Sequence, residues 1–476
     1  AVVIGKVTKN QDYKIRHNNR IICNVPIKAV MMKGRNNYIC KTRFDWLISD
    51  AKTLDSVDVE ALIPVLFWMQ WTKTGDLSEC SGFFNARRIW LKSTFCSEPG
   101  FCTGEVCNRH DGCYYGKLKK AIFRAHIIVV NHSLLMTDAA QPGFLPDFNS
   151  VIVDEAHNLV KSAYAQFKTE WNEQGTSYLL QTVDPSFPRS ARWNNILHRI
   201  SEMEPRIGQL RDDLKDAVKQ AQECLKEFMV ALADDNHNRF TPAKAYQDKP
   251  ILGRLEKVYA PITIELYTMK QSLEGVFSLL DKIRKAVLEM DPSRTDFPVL
   301  HSVLDRGLET ASGLMTSLVR LTENQDHDWV YWMEGEYRNP NTSKERLTLS
   351  LHASLVDVAE KLNVEFFRRF DHCLLTSATF KVNNSFDYFL RRIGLDDFDH
   401  VRTKDFSSPF LYNEQVTYHQ YGGAREISND PTMIGELVYH LHKTIGKRMM
   451  VLFTSRKALT DTANVLKDKP GGRDIP

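Results

Sequence analysis

Two segments decide the fold of this chain: Ala121–Leu135, AIFRAHIIVVNHSLL, and Val151–Leu159, VIVDEAHNL. Each contains a short apolar run, Ile127–Val130 in the first and Val151–Val153 in the second, that ends abruptly in polar residues. Runs of this kind are typical of buried strands in a parallel sheet. Ligands of open α/β sheets bind at the carboxyl ends of the strands. The two segments therefore predict an α/β fold with a functional site where these strands end.

Acidic residues follow the second strand directly. A carboxylate in the position of Asp154 can hold Mg²⁺, either directly or through water. The adjacent Glu155 can polarise the water that attacks the γ-phosphate of a nucleotide, and His157 is placed to relay the state of that phosphate to neighbouring elements. The alternative is an ordinary helix N-terminus with acidic capping residues.

A third apolar run, Cys373–Thr376, is followed by Ser377, Ala378 and Thr379. Small hydroxyl side chains at a strand end can hydrogen-bond both the acidic loop and a neighbouring strand. Such residues are also common in a simple turn after a strand. Ser377 and Thr379 are therefore candidates for coupling the acidic loop to the rest of a nucleotide site, with a plain turn as the alternative.

Cysteines cluster ahead of the first strand. Five of the nine lie between Cys80 and Cys113, which in a reducing compartment favours a metal over disulfides. Cys102, Cys107 and Cys113 are spaced C-x4-C-x5-C, and Cys96 precedes them at a further C-x5-C step. Three thiolates joined by a distant fourth can hold a cubane iron–sulfur cluster or a tetrahedral zinc. The spacing alone leaves both open, together with a set of buried free thiols.

Residues 163–323 have the periodicity of long amphipathic helices. Apolar residues recur there at steps of three and four, which predicts the core-facing stripes of a helical bundle. The three stripes are Ile207, Leu210, Leu214, Val218, Ala221, Leu225, Phe228 and Leu232; Ile262, Leu266, Met269, Leu273, Val276, Leu280, Ile283 and Val287; and Leu304, Leu308, Ala311, Met315 and Leu318. The segments VYWMEG and LTLSLHASLVDVAEKL that follow predict a strand and a strand–loop–helix.

Composition narrows the class of protein. A chain of 476 residues with 43% hydrophobic content is long enough for two to four domains. The net charge of +3 means that any nucleic-acid surface would be a local groove. No apolar run approaches the roughly 20 residues that cross a bilayer, and the N-terminal run is too short for a signal peptide. We therefore expect a soluble, cytoplasmic protein without a membrane partner.

The motifs together resemble those of the DinG/XPD-like iron–sulfur helicases of superfamily 2. VIVDEAH resembles the DEAH box, while NHSLL upstream and LLTSATF downstream narrow the resemblance to this group, with the DinG branch the closer match. KGRNNYIC, which ends at Cys40, and the C-x4-C-x5-C-Y segment are similar to the cluster-binding segments of DinG-like helicases. The resemblance covers nearly all of the chain.

The resemblance implies a cofactor and a set of ligands. It assigns a 4Fe–4S cluster to Cys40, Cys102, Cys107 and Cys113, with Mg²⁺ and ATP at the DEAH box. Cys80 and Cys96 blur this assignment, because either could replace Cys40, and a zinc site stays open.

Two further segments are predicted to contact DNA. Asn131 and His132 resemble the family's NH motif, with a polar cap as the alternative for His132. The run RMMVLFTSRKAL predicts a buried strand, Met449–Phe453, which ends near Ser455 and Arg456. Hydroxyls and backbone amides at the N-terminus of the following helix suit a DNA phosphate, with a plain helix cap as the alternative.

The resemblance also implies a domain order. Residues 1–39 would be part of a RecA-like motor domain 1, 40–120 an iron–sulfur domain, 121–162 motor domain 1 with its NH and DEAH motifs, 163–323 a helical arch, 324–380 motor domain 1 with the SAT motif, and 381–476 part of motor domain 2.

The implied function is ATP-dependent DNA unwinding by a monomer that moves 5′ to 3′ on single-stranded or forked DNA in repair or replication. No G-x-x-x-x-G-K-[ST] loop occurs in the sequence. We therefore expect a fragment trimmed at both ends that alone hydrolyses ATP weakly or not at all. A nucleic-acid-binding scaffold with a zinc or iron–sulfur site is the rival hypothesis. Nuclease activity is not expected, because no acidic constellation for two-metal cleavage stands out.

Overall fold

The structure is a computed structural model. It describes residues 4–7, 12–17, 20–26, 28–49, 54–85, 88, 91–98, 113–186, 197–198, 200–202, 204–240, 250–290, 297–323, 325–338, 346–420, 430–446 and 449–469. The chain divides into two compact units, residues 1–401 and residues 402–476, and each is described by itself.

The described elements mix helices and strands along the whole chain. The strands are β1 (Ile4–Val7), β2 (Asp12–His17), β3 (Arg20–Pro26), β4 (Ala29–Met31), β5 (Ile127–Val129), β6 (Ser150–Val153), β7 (Thr169–Asn172), β8 (Trp329–Arg338), β9 (Arg346–Leu355) and β10 (His372–Leu375). The helices are α1 (Lys41–Ser49), α2 (Ser56–Trp68), α3 (Ser81–Asn85), α4 (Lys92–Phe95), α5 (Tyr114–Ile122), α6 (His132–Ala140), α7 (Leu159–Phe167), α8 (Glu173–Val183), α9 (Pro205–Asn236), α10 (Leu255–Tyr259), α11 (Thr263–Leu288), α12 (Phe297–Thr322), α13 (Asp387–Ile393), α14 (Tyr412–Gln415), α15 (Pro431–Ile445) and α16 (Arg456–Lys467). A π-helical turn covers Leu362–Phe366.

Parallel strand pairs form as the sequence predicts. β4 pairs in parallel with β5, and β6 pairs in parallel with β10, so that the strand before the DEAH box lies beside the strand before Ser377. β1, β2 and β3 form a separate antiparallel sheet. The α/β fold class with parallel strands is therefore confirmed.

The prediction that these strands are buried is wrong for one face of each pair. Val153 is 2% exposed, whereas Ile152 is 73% exposed and Leu374 is 56% exposed. Successive side chains of a strand point to opposite faces of the sheet. One face packs on the protein core, and no described element covers the other face, which bears the exposed side chains.

The helical bundle confirms the predicted stripes. α9 packs along α11, and α11 packs along α12. Most of the predicted stripe residues are buried in one core, and Leu210, Leu308 and Met315 pack at its edge. The antiparallel sheet β7–β9–β8 closes the same core with Trp171, Met333 and Leu351. Residues on both sides of the predicted boundary at 323 thus share one core, and the domain boundaries themselves stay a prediction.

A smaller core lies behind the strand ends of β6 and β10. It joins α6 and α7 to the π-helical turn and α13 through buried side chains. Its members are Leu135, Met136, Ala139, Val153, Ala156, Leu159, Ala163, Val358, Leu362, Phe366, Phe367, Phe389 and Ile393. Arg369, which ends the 3₁₀ turn Phe367–Arg369 after the π-helical turn, donates to the buried carboxylate of Asp138 at 2.9 Å and fixes this segment against α6. This apolar core therefore supports the polar loops that follow β6 and β10.

The second unit corrects one prediction. α15 packs against α16, as expected for helices flanking a strand. Met449–Phe453 nevertheless forms no strand, and Met450 and Leu452 are 84% and 83% exposed. A strand needs a hydrogen-bonded neighbour, and the described residues of this unit contain no other strand to pair with. None of the helices in the described ranges is both long and apolar enough to cross a membrane.

Candidate active site

The site begins where β6 and β10 end together. Their register places Val153 opposite Leu375, so the next residues of both strands are neighbours. The backbone N–H of Thr376 donates to the carbonyl of Val153 at 2.9 Å, and the N–H of Ala156 donates to the carbonyl of Thr376 at 2.9 Å. The DEAH loop and the segment that leads into Ser377–Thr379, which are far apart in the sequence, are thus hydrogen-bonded to each other.

Asp154 is held by two donors on the same oxygen. The hydroxyl of Thr376 donates to Oδ1 at 2.7 Å, and the backbone N–H of Glu155 donates to Oδ1 at 3.0 Å. The Thr376 hydrogen bond, followed by the Glu155 amide, holds the pKa of Asp154 below its ordinary value. Because the carboxylate is exposed and ionised and both donors use Oδ1, its Oδ2 is the oxygen oriented for a hard cation such as Mg²⁺.

Glu155 has a backbone conformation that non-glycine residues rarely adopt. Its φ of 48° and ψ of 43° lie in the left-handed region. Such a conformation costs of order 1 kcal/mol and tends to occur at functional sites. The turn leaves the Glu155 side chain 57% exposed, and its Oε2 lies 3.1 Å from Nδ1 of His157. A carboxylate in this position can reach a bound water.

His157 joins the two motifs. Its Nδ1 lies 2.8 Å from the hydroxyl of Ser377, and its Nε2 lies 3.0 Å from Nδ2 of Asn158. The same Ser377 hydroxyl accepts from the backbone N–H of Thr379 at 3.2 Å. The predicted residues Glu155, His157, Ser377 and Thr379 therefore form one hydrogen-bonded group.

Asn131 and His132 lie at the neighbouring strand end. The side chain of Asn131 caps α6 by accepting from the N–H of Leu134 at 2.9 Å. Nε2 of His132 lies 2.8 Å from the carbonyl of Asp154, and since a carbonyl only accepts, this nitrogen carries the hydrogen. His132 thus supports the DEAH loop, and a role of either residue in DNA binding stays a prediction.

Ser455 and Arg456 begin α16 in the second unit. The Ser455 hydroxyl accepts from the N–H of Ala458 at 3.1 Å, which is the geometry of a helix cap. A phosphate contact by Ser455 or Arg456 stays a prediction.

Two of the four predicted cluster ligands can be placed. Cys40 directly precedes α1 and Cys113 directly precedes α5. Lys41 lies over the ring of Tyr114 at 4.8 Å, which brings the residues that follow the two cysteines together. Cys102 and Cys107 lie outside the described residues. Within the described ranges, no three or more His, Cys, Asp or Glu side chains are grouped to hold a metal.

Cys80 and Cys96 have a different environment. Both are buried in an apolar core with Phe44, Phe83 and Phe95. Burial raises the pKa of both thiols. Cys40 is also buried but is not part of this apolar cluster, so its surroundings, and not its burial, distinguish it from Cys80 and Cys96.

Two residues of the site were not among those predicted from the sequence. Thr376 was the last residue of an apolar run, and its hydroxyl was the available signal for a contact with Asp154. Asn158 directly follows the DEAH box, and no pattern in the sequence distinguishes it from a helix cap.

Comparison with known proteins finds relatives that are named either as ATP-dependent DNA helicases or as 3′-5′ exonucleases. No family model matches the chain. The chain is 25% identical over 452 residues to the ATP-dependent DNA helicase YoaA of Haemophilus influenzae, covering 93% of this chain and 61% of that protein. It is 25% identical over 464 residues to the 3′-5′ exonuclease DinG of Bacillus subtilis, covering 93% of this chain and 47% of that protein.

The ATP-dependent DNA helicase DinG of Escherichia coli is a third relative, 22% identical over 385 residues, covering 78% of this chain and 51% of that protein. The chain spans about half to three-fifths of the length of these curated relatives. The similarity to DinG-type DNA helicases that the motifs predict is therefore confirmed.

Proposed function

We propose that the chain contributes part of the nucleotide site of a DinG-type, ATP-dependent DNA helicase. This part is the edge of the sheet that carries the DEAH residues Asp154–His157 and the SAT residues Ser377–Thr379. The helicase would move 5′ to 3′ on single-stranded or forked DNA. The observation that carries the proposal is the hydrogen-bonded joint between the two strand ends, in which Thr376 contacts Asp154 and Ser377 contacts His157. A motor needs such a joint because a change at the nucleotide must alter elements that hold DNA. Relatives named as DNA helicases support the same function.

Each residue of the edge has a chemical task in this proposal. Asp154 presents a carboxylate that fits Mg²⁺, and Mg²⁺ would neutralise phosphate charge when bound with ATP. Glu155 orients and polarises the attacking water. His157 and Ser377 link the loop that senses the phosphate to β10, and Thr379 holds the Ser377 hydroxyl from the other side.

We also propose a 4Fe–4S cluster bound by Cys40, Cys102, Cys107 and Cys113. The adjacency of the segments that follow Cys40 and Cys113 supports this set, and the apolar surroundings of Cys80 disfavour it as a replacement. The cluster would anchor the segment between α4 and α5.

The remaining assignments follow from the DinG resemblance. Asn131, His132, Ser455 and Arg456 would contact the DNA, the α9–α12 bundle would form the arch, and the strand pairs would belong to RecA-like motor domains. The helicase would work as a monomer in the cytoplasm, in DNA repair or replication.

Substitution of Glu155 by Gln in the product of the complete gene tests the motor function. Gln keeps the size of the side chain but cannot polarise water as a carboxylate does, so we expect DNA-stimulated ATP hydrolysis to fall at least about 100-fold. Nucleotide binding, measured with a fluorescent ATP analogue, should stay unchanged. Glu336→Gln, in a strand of the bundle sheet, is the matched control. Unchanged turnover in Glu155→Gln would refute the assignment.

Anaerobic purification with iron, sulfide and zinc assays tests the cluster. We expect near-stoichiometric iron and sulfide with a broad visible absorption band, lost in Cys113→Ser and kept in Cys80→Ser. Zinc without sulfide would refute the iron–sulfur cluster and favour a zinc-bearing scaffold.

A further inference from the structure

The contacts of His157 determine which of its ring nitrogens carries hydrogen. Nδ1 faces the carboxylate oxygen Oε2 of Glu155 at 3.1 Å and the hydroxyl of Ser377 at 2.8 Å. An ionised carboxylate can only accept hydrogen bonds. A bare Nδ1 lone pair would repel it, so the arrangement requires hydrogen on Nδ1.

The other nitrogen faces a donor. Nδ2 of Asn158, an amide nitrogen that can only donate, lies 3.0 Å from Nε2 of His157. Nε2 must then be the acceptor, which makes the imidazole neutral with its single hydrogen on Nδ1. The contacts on both sides of the ring are therefore consistent with the Nδ1–H tautomer.

The backbone at Asn158 explains why its side chain is available for this contact. Asn158 ends a 3₁₀ turn, Ala156–Asn158, that continues directly into α7, and its φ of −82° and ψ of −9° are helical. Asn131 and Asn172, which cap α6 and α8, instead have the extended backbone of a helix cap. Asn158 therefore lies inside a helical segment, where its side chain caps no helix and contacts His157.

We propose that Asn158 is a positioning residue that fixes His157 in the Nδ1–H tautomer. The direction of the hydrogen bond to Ser377 follows, because His157 then donates and the Ser377 hydroxyl accepts. That hydroxyl also accepts from the N–H of Thr379, so both of its acceptor positions are filled. Its own hydrogen is left to donate to a ligand that arrives at the strand ends.

The importance of this hydrogen for coupling rests on the proposed function, but the tautomer itself does not. His157 has one hydrogen to share between Glu155 and Ser377, which lie on opposite sides of the joint. With the opposite tautomer, Ser377 would have to donate to Nδ1 and could not donate elsewhere. Asn158 therefore determines whether the Ser377 hydroxyl can donate a hydrogen bond to a ligand.

Nitrogen-15 NMR of the chain labelled at histidine tests the proposal directly. Spectra recorded at a pH where histidine side chains are neutral show, from couplings to the ring hydrogens, which nitrogen is protonated. His157 is identified by the signals that disappear in His157→Gln. We expect hydrogen on Nδ1 in the wild type, and hydrogen on Nε2 alone would overturn the proposal.

Asn158→Asp supplies the decisive variant. Aspartate is close in size but only accepts, so we expect Nε2 of His157 to become protonated. Asn36→Asp, an exposed asparagine whose side-chain oxygen accepts from Asn37, is the matched control and should leave the His157 signals unchanged. If Asn158→Asp folds poorly, Asn158→Leu replaces it and should give a mixture of tautomers. Signals identical to wild type in a folded variant at position 158 would contradict the proposal.

The test separates this inference from the proposed function because it needs no ATP hydrolysis. A chain whose complete gene product lacks helicase activity would refute the function and leave the tautomer standing. If the product is active, Asn158→Asp should lose unwinding while keeping its KM for ATP. If the KM for ATP rises as much as unwinding falls, Asn158 has only a structural role and the proposal is refuted.

Discussion

Phe228 and Leu280 in the helical bundle are fully buried among apolar side chains, whereas Glu155 and His157 at the strand ends are 57% and 39% exposed and held by hydrogen bonds. The bundle buries its apolar stripes on every side. The strand-end site rests on its own small core and turns its polar groups outward. The contrast indicates that the bundle contains the largest apolar core of the described residues, while the strand ends present the polar groups of the proposed site.

The largest expected effect is the removal of a bundle side chain. Phe228 is fully buried and meets Trp171 edge to face at 5.9 Å, so Phe228→Ala should lower the free energy of unfolding by about 3–5 kcal/mol. Ile152→Ala, on the uncovered face of β6, should change it by about 0.5 kcal/mol or less. Denaturant unfolding monitored by circular dichroism measures both. A loss at Ile152 as large as at Phe228 would mean that this face is covered in solution.

A smaller effect is expected where the bundle meets the cysteine-bearing segment. Glu98 accepts from Arg43 at 2.8 Å and also pairs with Arg306 on α12. Because Arg43 is buried, Glu98→Gln should cost about 1–3 kcal/mol. Glu202→Gln is the control, since its exposed pair with His198 should contribute less than about 0.5 kcal/mol. Equal losses in the two variants would show that Glu98 does not join the regions.

Structural features that a local sequence pattern determines could be predicted from the sequence. One face of a long helix must be apolar to pack, so the stripes of α9, α11 and α12 could be assigned residue by residue. The junction of the DEAH and SAT segments was also predictable, because strand ends bearing polar residues gather at one edge of a parallel sheet.

The remaining features depend on neighbours that a sequence does not display. Burial of Ile152 and strand pairing by Met449–Phe453 were both predicted, but each would require a second element whose position no local pattern gives. The contact of Thr376 with Asp154 arises from the register of two strands far apart in the chain. Asn158 was missed because its contact with His157 depends on the 3₁₀ turn that contains both residues.

The smallest effect concerns the charge of Asp154. Thr376→Val keeps the shape but removes the donor, so the pKa of Asp154 should rise toward its ordinary value of 3.8. The lowered pKa stabilises the fold above pH 3.8, and this stabilisation is lost as the pH falls through the folded-state pKa. Carbon-13 NMR of the carboxyl group measures the shift.

Two variants control this prediction. Thr376→Ser keeps the hydroxyl and should keep the lowered pKa. Thr316→Val removes a hydroxyl that donates within α12 and should leave Asp154 unaffected. A pKa unchanged in Thr376→Val would show that the joint does not determine the charge of the site.

In the proposed function, the hydrogen-bonded strand ends would couple ATP hydrolysis to movement along DNA. The most direct test measures ATP consumed and base pairs unwound by the complete gene product with Ser377→Ala, which removes the hydroxyl that contacts His157. We expect DNA-stimulated hydrolysis to persist while unwinding is lost. Unwinding per ATP equal to that of the wild type would contradict it.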